Sequence, residues 1–271
     1  RPDQPLHGAQ PFLVLDQFPS SDHLDRYAEM EHSARQAFLI LEKAWQLQGR
    51  RLVDFKLEFG LRAGWQLLLA DVIDADSWRV VFDGQYEDKQ LFRDGVPVSE
   101  VERKLRTTAA LTERFGLPRQ RIILWRASDK DDLTPFHETL KPYLGDDCQV
   151  AEVTGSAHKE PIWTVLTVQR MAQETPDGVI IAFAGRSNGL GPTLAANTTV
   201  PVISVPANLK EFRHDVWSSL RLPSLVPALT VLDPGNAVLA ALQILATRNP
   251  RLYALLRLAQ EERLMNIVEL S

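Results

Sequence analysis

Three short stretches carry the side chains that could do chemistry: "RASDKDD" at 126–132, "TGSAHKEP" at 154–161 and "AGRSNGLGP" at 184–192. Between them they offer Arg126, Ser128, Asp129, Ser156, His158, Lys159, Arg186, Ser187 and Asn188. A histidine in such a loop can move a proton near neutral pH, and the adjacent Lys159 can hold a carboxylate or its precursor. Gly185, Gly189 and Gly191 fall within seven residues. They would let backbone N–H groups approach a phosphate, with Arg186 to meet its charge. The stretch is neither a Walker loop, which closes on a lysine and a hydroxyl, nor a dinucleotide fingerprint. His7, His23, His32, His137 and His214 show no metal-ligand spacing, so no metal site is expected. The single cysteine, Cys148, allows no intrachain disulfide, and within "CQVAEV" it reads as a small buried hydrophobe.

Each of the three stretches follows an apolar run. "RIILW", "CQVAEV" and "GVIIAF", then "VPVISV" and "ALTVL", are separated by helix-length segments. That pattern predicts a parallel sheet covered on both faces. Ligands of such a sheet bind beyond the carboxyl ends of the strands, near the point where strand order reverses, which is where the three loops fall. Residues 235–270 read as two helices broken near Asn249 and Pro250.

The upstream half has a different period. Residues 22–49 place Tyr27, Met30, Ala34, Phe38, Leu41 and Trp45 at helical spacing, with Ser21 as a cap and Gly49 as a stop. In "RLVDFKLEFG", Val53, Phe55, Leu57 and Phe59 alternate with Asp54, Lys56 and Glu58, predicting one strand with three charges on one face. "GLRAG" then turns the chain into a hairpin with "WQLLLADVID". Residues 76–94 read as a short strand and a charged loop, and Ser99 with Glu102 as a capping box for a helix ending near Gly116. The expected fold is α/β: a C-terminal three-layer α/β/α parallel-sheet (flavodoxin-like) domain over 121–271, preceded by a smaller α+β antiparallel-sheet domain over 23–117. Residues 1–22, rich in proline and polar residues, read as an extended arm.

With 271 residues, 45% hydrophobic and 24% charged, the chain is an ordinary globular protein. Its formal net charge of -5, without a basic stripe, argues against a nucleic-acid polymer as partner. No apolar run has the length of a membrane span, and "RPDQPLHGAQ" is not a signal peptide, so no membrane partner and a cytoplasmic location are expected. A start at Arg1 reads as a processed product or as part of a longer polypeptide.

"SAHK", "AGRSNGLGP", "NTTVPVIS" and "DVWSSLRLPS", in this order and spacing, resemble the carboxylase domain of a known family. These are the animal-type bifunctional enzymes that join phosphoribosylaminoimidazole carboxylase to phosphoribosylaminoimidazole-succinocarboxamide (SAICAR) synthetase. "LVDFKLEFG", "LADVIDADSWR" and "DKQLFRD" are similar to the second half of the synthetase domain. The resemblance runs from about Tyr27 to the C-terminal helices. It implies carboxylation of aminoimidazole ribonucleotide (AIR) at the ring carbon beside its exocyclic amine. CO2 would be taken directly as a substrate, with no ATP, biotin or metal as cofactor.

Ser156, His158 and Lys159 would then lie at the reacting carboxyl group, with His158 transferring the proton. Ser128 and Asp129 would face the ribose phosphate, and Gly185, Arg186, Ser187 and Asn188 would form the third binding loop. A homo-oligomer, an octamer in the family, is implied as well. On the synthetase side, Lys56, Glu58 and Asp71 match the ATP and magnesium side of a cleft, and Asp76, Ser77, Trp78, Arg79, Lys89 and Arg93 match further cleft motifs. The glycine-rich N-terminal lobe of that family has no counterpart here. The cleft is therefore expected to be vestigial, with ATP and magnesium relevant only if a separate lobe is supplied, and no succinocarboxamide synthesis by this chain alone.

Three departures stand out. Trp125 and Arg126 replace the family's Gly-Ser, which puts Arg126 where it could pair with the phosphate. Gly155 is inserted before "SAHK", and Leu225, Val226 and Pro227 replace a glycine-containing segment. Three functions stay open: a working carboxylase, a relative acting on another azole ribonucleotide, and a non-catalytic scaffold or regulatory homologue.

Overall fold

A computed structural model describes residues 22–63 and 66–269, so all but the last residue of the arm expected over 1–22, the Ser21 cap and the hairpin turn at Gly64 lie outside the described residues. Helix α1 (Asp22–Leu47) stops at Gly49, whose φ of 70° suits glycine, and the Arg50 N–H closes the end on the Trp45 carbonyl at 3.0 Å. Its Phe38, Leu41 and Trp45 pack on Leu52, Trp78 and Val80.

The single strand expected across 52–59 is two strands, β1 (Arg51–Phe55) and β2 (Glu58–Leu61). β2 forms a hairpin with β3 (Leu67–Ala70), whereas β1 pairs antiparallel with β4 (Trp78–Phe82). Lys56 and Leu57 fall in the break and β1 is irregular between Leu52 and Asp54, so the three charges do not share one strand face. Alternation over eight residues records exposure on each side; it carries no trace of a change of partner midway. The segment 76–94 is more ordered than expected. β4 turns into β5 (Gln85–Tyr86) through Asp83 and Gly84, both at positive φ, and α2 (Gln90–Arg93) follows. The expected capping box does not form. Helix α3 (Val98–Thr112) starts two residues earlier, with Pro97 at the N-cap and no side-chain cap, which leaves Ser99 inside the first turn.

From Gln120 on, strands and helices alternate: β6 (Gln120–Arg126), α4 (Thr134–Leu140), β7 (Cys148–Thr154), α5 (Pro161–Glu174), β8 (Gly178–Ala184), α6 (Leu190–Ala196), β9 (Val202–Pro206), α7 (Trp217–Leu220), β10 (Leu229–Thr230), α8 (Pro234–Ala246) and α9 (Pro250–Glu269). The five strands are parallel in the order β10-β9-β8-β6-β7. Every residue of the central strand β8 is buried, the burial on both faces that its unbroken apolar run requires. One face packs against α4 and α8 through Phe136, Leu140, Val238 and Leu242; the other packs against α5 and α6 through Val168, Leu190 and Leu194. The parallel three-layer sheet after an antiparallel region is as expected.

Cys148 lies fully buried under the first of these layers, and burial pushes its thiol up to about 11. Thiolate, the reactive form, is then scarce at neutral pH. The expected result is that a thiol reagent at pH 7 labels no cysteine in the native chain and one after denaturation, read by mass spectrometry.

The helix break at Asn249 is a polar clamp. Asn249 is fully buried and donates to Gln120 Oε1 at 3.0 Å and Asp147 Oδ2 at 2.8 Å, while Arg251 Nε donates to Asp147 at 2.7 Å. It ties the start of α9 to the amino ends of β6 and β7. Further along, α9 packs on α1 through Leu39, Ala254 and Leu258, with Arg35 paired to Glu261 at 2.7 Å and Tyr253 donating to Glu42 at 2.8 Å.

Candidate functional site

The strand order reverses between β6 and β8, and the loops after these two strands meet there. Register holds almost to the strand tips: Arg126 stands opposite Thr154 on one side and Phe183 on the other, and the Ala127 N–H still donates to the Phe183 carbonyl at 2.9 Å. Arg126 spans the end of the sheet. Its Nε donates to Thr154 Oγ1 at 2.8 Å, and its guanidinium stands 3.5 Å from the Asp129 carboxylate. Ser128 anchors a tight turn: its carbonyl accepts from the Asp131 N–H at 3.0 Å and its hydroxyl from the Lys130 N–H at 3.3 Å.

The loop after β7 reaches past β6. A Cβ built on Gly189 would stand 2.6 Å from His158 Nε2 and 2.7 Å from its Cε1, so the imidazole lies directly on the backbone of the third loop. Only a residue without a side chain at 189 permits that approach. His158 and Lys159 are both exposed. Among the described residues no carboxylate lies within ion-pair distance of Lys159. The Ser156 carbonyl holds the turn by accepting from the Lys159 and Glu160 N–H groups at 3.0 and 2.8 Å.

Gly155, expected as an insertion, has a structural partner. The Trp125 indole, fully buried, donates to the Gly155 carbonyl at 3.1 Å, and the Trp163 ring stands edge-on to it with centroids 5.8 Å apart. A Cβ on Gly155 would overlap the Trp163 ring, 2.9 Å from its Cη2. Trp125, Gly155 and Trp163 therefore fit together as a unit beneath the second loop. Gly155→Ala is expected to lower stability by about 1–3 kcal/mol through overpacking, read from the denaturant midpoint, and to displace the turn that carries His158.

In the third loop the four expected residues divide. Arg186 is exposed, with its guanidinium 4.1 Å from the Phe212 ring centroid, and Ser187 holds a positive φ of 41°. Asn188 is buried, and its side chain serves the loop itself: Nδ2 donates to Ser219 Oγ at 2.9 Å and Oδ1 accepts from the Gly191 N–H at 2.9 Å. Gly185 faces Asn208, whose Nδ2 would stand 3.0 Å from an added Cβ. Thr154, Phe212 and Asn208 were not singled out by sequence. Thr154 was findable, since the last residue of one parallel strand faces the last residue of its neighbour; Asn208 and Phe212 had no signal of spacing.

The synthetase-like charges form pairs instead of converging. Lys56 pairs with Glu58, which raises the Lys56 ammonium, and Arg79 pairs with Asp54. Lys89 lies 3.7 Å from Asp76, and Asp71, at a φ of 75°, accepts the Val72 N–H at 2.8 Å. Arg93 is exposed at the end of α2. Among the described residues no three His, Cys, Asp or Glu side chains are grouped to hold a metal ion. This donor set does not fit a magnesium–ATP site. A cavity of about 410 Å³ between α1, β1 and α9, lined by Phe38, Phe55, Arg35 and Arg257 among others, lies away from the three loops.

A doubly wound parallel sheet with basic and histidine-bearing loops gathered at its switch point belongs to the α/β proteins that bind their ligand beyond the strand ends. Comparison with known proteins narrows that class. The AIR carboxylase family matches residues 122–265, and the SAICAR synthetase family matches residues 16–108. This chain belongs to the AIR carboxylase family, and carries part of a SAICAR synthetase region upstream. It is 34% identical over 262 residues to a probable multifunctional protein ADE2 of Caenorhabditis elegans, covering 91% of this chain and 61% of that protein. It is 37% identical over 243 residues to the bifunctional phosphoribosylaminoimidazole carboxylase/phosphoribosylaminoimidazole succinocarboxamide synthetase of Rattus norvegicus, covering 84% of this chain and 56% of that protein. The chain thus spans under two thirds of the length of these relatives. The crystal structure of Treponema denticola PurE superposes with a TM-score of 0.52 at 27% identity, covering 56% of this chain and 96% of that one. No described helix is long and apolar enough to cross a membrane.

Proposed function

We propose that this chain carboxylates aminoimidazole ribonucleotide with CO2, without ATP, biotin or metal. The observation that carries the reading is the His158 imidazole seated on Gly189, which brings the histidine loop onto the glycine loop at the sheet's switch point. In the reaction the electron pair of the amine-activated ring carbon forms the new bond to CO2. The proton on that carbon leaves to His158, and the products are the ring carboxylate and a proton. Lys159, with Ser156 beside it, would hold the forming carboxylate. Arg126 would exchange Asp129 for the ligand's phosphate, with Ser128 and Asp129 on the sugar side and Gly185, Arg186 and Ser187 closing the third edge. Asn188 would act through the loop whose shape it fixes.

The assembly would be a homo-oligomer in the cytoplasm, an octamer by family likeness. Ile162 and Leu166 on α5, 75% and 62% exposed, offer an apolar face for such contacts. ATP and magnesium would enter only through a synthetase site completed by residues beyond those described. A second reading rests on Arg126, whose guanidinium spans the end of the sheet where the family has a serine: with Leu225, Val226 and Pro227 in place of a glycine-containing segment as well, the site would take a different azole ribonucleotide.

The test is incorporation of labelled CO2 into aminoimidazole ribonucleotide by the purified chain, run beside a panel of azole ribonucleotides. Incorporation into the first supports the carboxylase, and incorporation only into another favours the second reading. No incorporation into any of them would leave a scaffold and sink the proposal.

A further inference from the structure

The two guanidiniums at the carboxyl ends of the central strands are held differently. Arg126 has the Asp129 carboxylate beside it at 3.5 Å, which an incoming anion must displace. Among the described residues no carboxylate lies within ion-pair distance of Arg186, and its exposed guanidinium stands instead 4.1 Å from the centroid of the Phe212 ring. A ring takes one face of a guanidinium and leaves the N–H donors around its edge free. The ring itself is fixed. Phe212 is half-buried, its N–H donates to the Asn208 carbonyl at 2.8 Å, and its carbonyl accepts from the Asp215 N–H at 3.0 Å. The same segment grips the glycine loop at two further points. Ser218 Oγ accepts from the Asn188 N–H at 2.7 Å while donating to the Asp215 carbonyl at 2.6 Å, and Ser219 Oγ accepts from Asn188 Nδ2 at 2.9 Å. Between the ring and these bonds Ser187 is kept at a φ of 41°, which a residue with a side chain holds only where its surroundings impose it.

We propose that Phe212 is a positioning residue of the nucleotide site: its ring holds the Arg186 guanidinium so that the free edge forks onto an oxyanion of the bound ligand. This deepens the ribonucleotide reading above and rests on it. An arginine already held in place loses less freedom when its ligand arrives, so more of each new hydrogen bond appears as affinity. The fork matches a group with two oxygens side by side, which both the nucleotide's phosphate and the new ring carboxylate supply. A carboxylate in place of the ring would hold the side chain as firmly but would occupy the same donors and cancel the charge.

The experiment is calorimetric titration of the wild type, Phe212→Leu, Phe212→Tyr, Arg186→Ala and the double variant Phe212→Leu/Arg186→Ala. Three ligands are used: aminoimidazole ribonucleotide, its riboside without the phosphate, and the ring-carboxylated ribonucleotide. Leucine keeps apolar bulk and removes the ring face. Phe212→Leu is expected to weaken binding of an anionic ribonucleotide by about 2- to 5-fold, the worth of a guanidinium on a ring near the surface. Arg186→Ala should weaken it by about 10- to 100-fold, the worth of hydrogen bonds to a charged group. Phe212→Tyr, which keeps the ring, should bind as the wild type does. With Arg186 already replaced, Phe212→Leu should have no further effect; a ring that only supports the loop would weaken binding with or without the arginine. Losses on both ribonucleotides but not on the riboside assign the phosphate, and a loss on the carboxylated ribonucleotide alone assigns the carboxylate. Phe212→Leu binding all three ligands as the wild type does, losing the riboside as much as the ribonucleotides, or weakening binding equally without Arg186, overturns the assignment alone. A wild type that binds neither ribonucleotide overturns the carboxylase reading and this assignment together.

Discussion

Replacing His158 with alanine is expected to lower kcat for AIR carboxylation by about 100- to 10,000-fold, the usual contribution of a positioned general base. KM should change far less. The imidazole lies on the Gly189 backbone, where the proposed reaction would hand it the ring proton, and among the described residues it has no hydrogen bond that would make it a fixed clamp for the ligand. Removing it leaves the sheet, the third loop and the cationic groups in place. His158→Asn, close in shape and unable to take the proton, should be as inactive as the alanine variant while binding the nucleotide nearly normally. Steady-state labelled-CO2 kinetics together with direct titration separates the two effects. An alanine variant that keeps a tenth of the rate would place proton transfer elsewhere.

Gly191→Ala is expected to be the most damaging single change to stability among the glycines of the three loops. An added Cβ would land inside contact distance of Ser204 Oγ and 3.1 Å from Ser204 Cβ, both in fully buried surroundings on β9. β9 cannot yield easily, since it lies between β8 and β10 in the sheet and Ser204 is fully buried. A loss of about 3 kcal/mol, the upper part of the usual overpacking range, should appear as a lowered denaturant midpoint with an unchanged slope. The Ser204 hydroxyl is itself buried without a hydrogen-bond partner. Ser204→Ala should therefore cost little, and Gly191→Ala/Ser204→Ala should recover part of the loss, a non-additive pair diagnostic of direct contact.

The two halves of the chain were unequally legible in the sequence. A strand buried on both faces, such as β8, must be apolar throughout, and five largely apolar runs at helix-length intervals leave few topologies. The antiparallel half gave no such guarantee. "LVDFKLEF" alternates cleanly, yet Lys56 and Leu57 mark a change of pairing partner that only the three-dimensional arrangement decides. At Pro97 a fixed φ started a helix where Ser99 and Glu102 had the right spacing for a capping box.

The loops behaved similarly. Residue types pointed to the three loops, but orientation did not follow from type: Asn188, polar in a polar loop, turns inward, while Trp125 lies wholly beneath the second loop. The Trp125–Gly155–Trp163 fit joins two large side chains through a glycine that makes room for one of them, which no position reveals alone.

The seam between α1 and α9 bears on how the protein can be divided. Cutting the chain near 117–120 would look natural, because the two family matches end and begin on either side of it. Yet Leu39 of the first part and Ala254 and Leu258 of the second bury one another, and Arg35 and Glu42 have their partners on α9. A separated parallel-sheet fragment would carry a greasy stripe along its last helix, with Tyr253 and Glu261 left to Arg257 alone. Evolutionary modules and physical units do not coincide here: the first helix belongs by descent to one half and by contact to both.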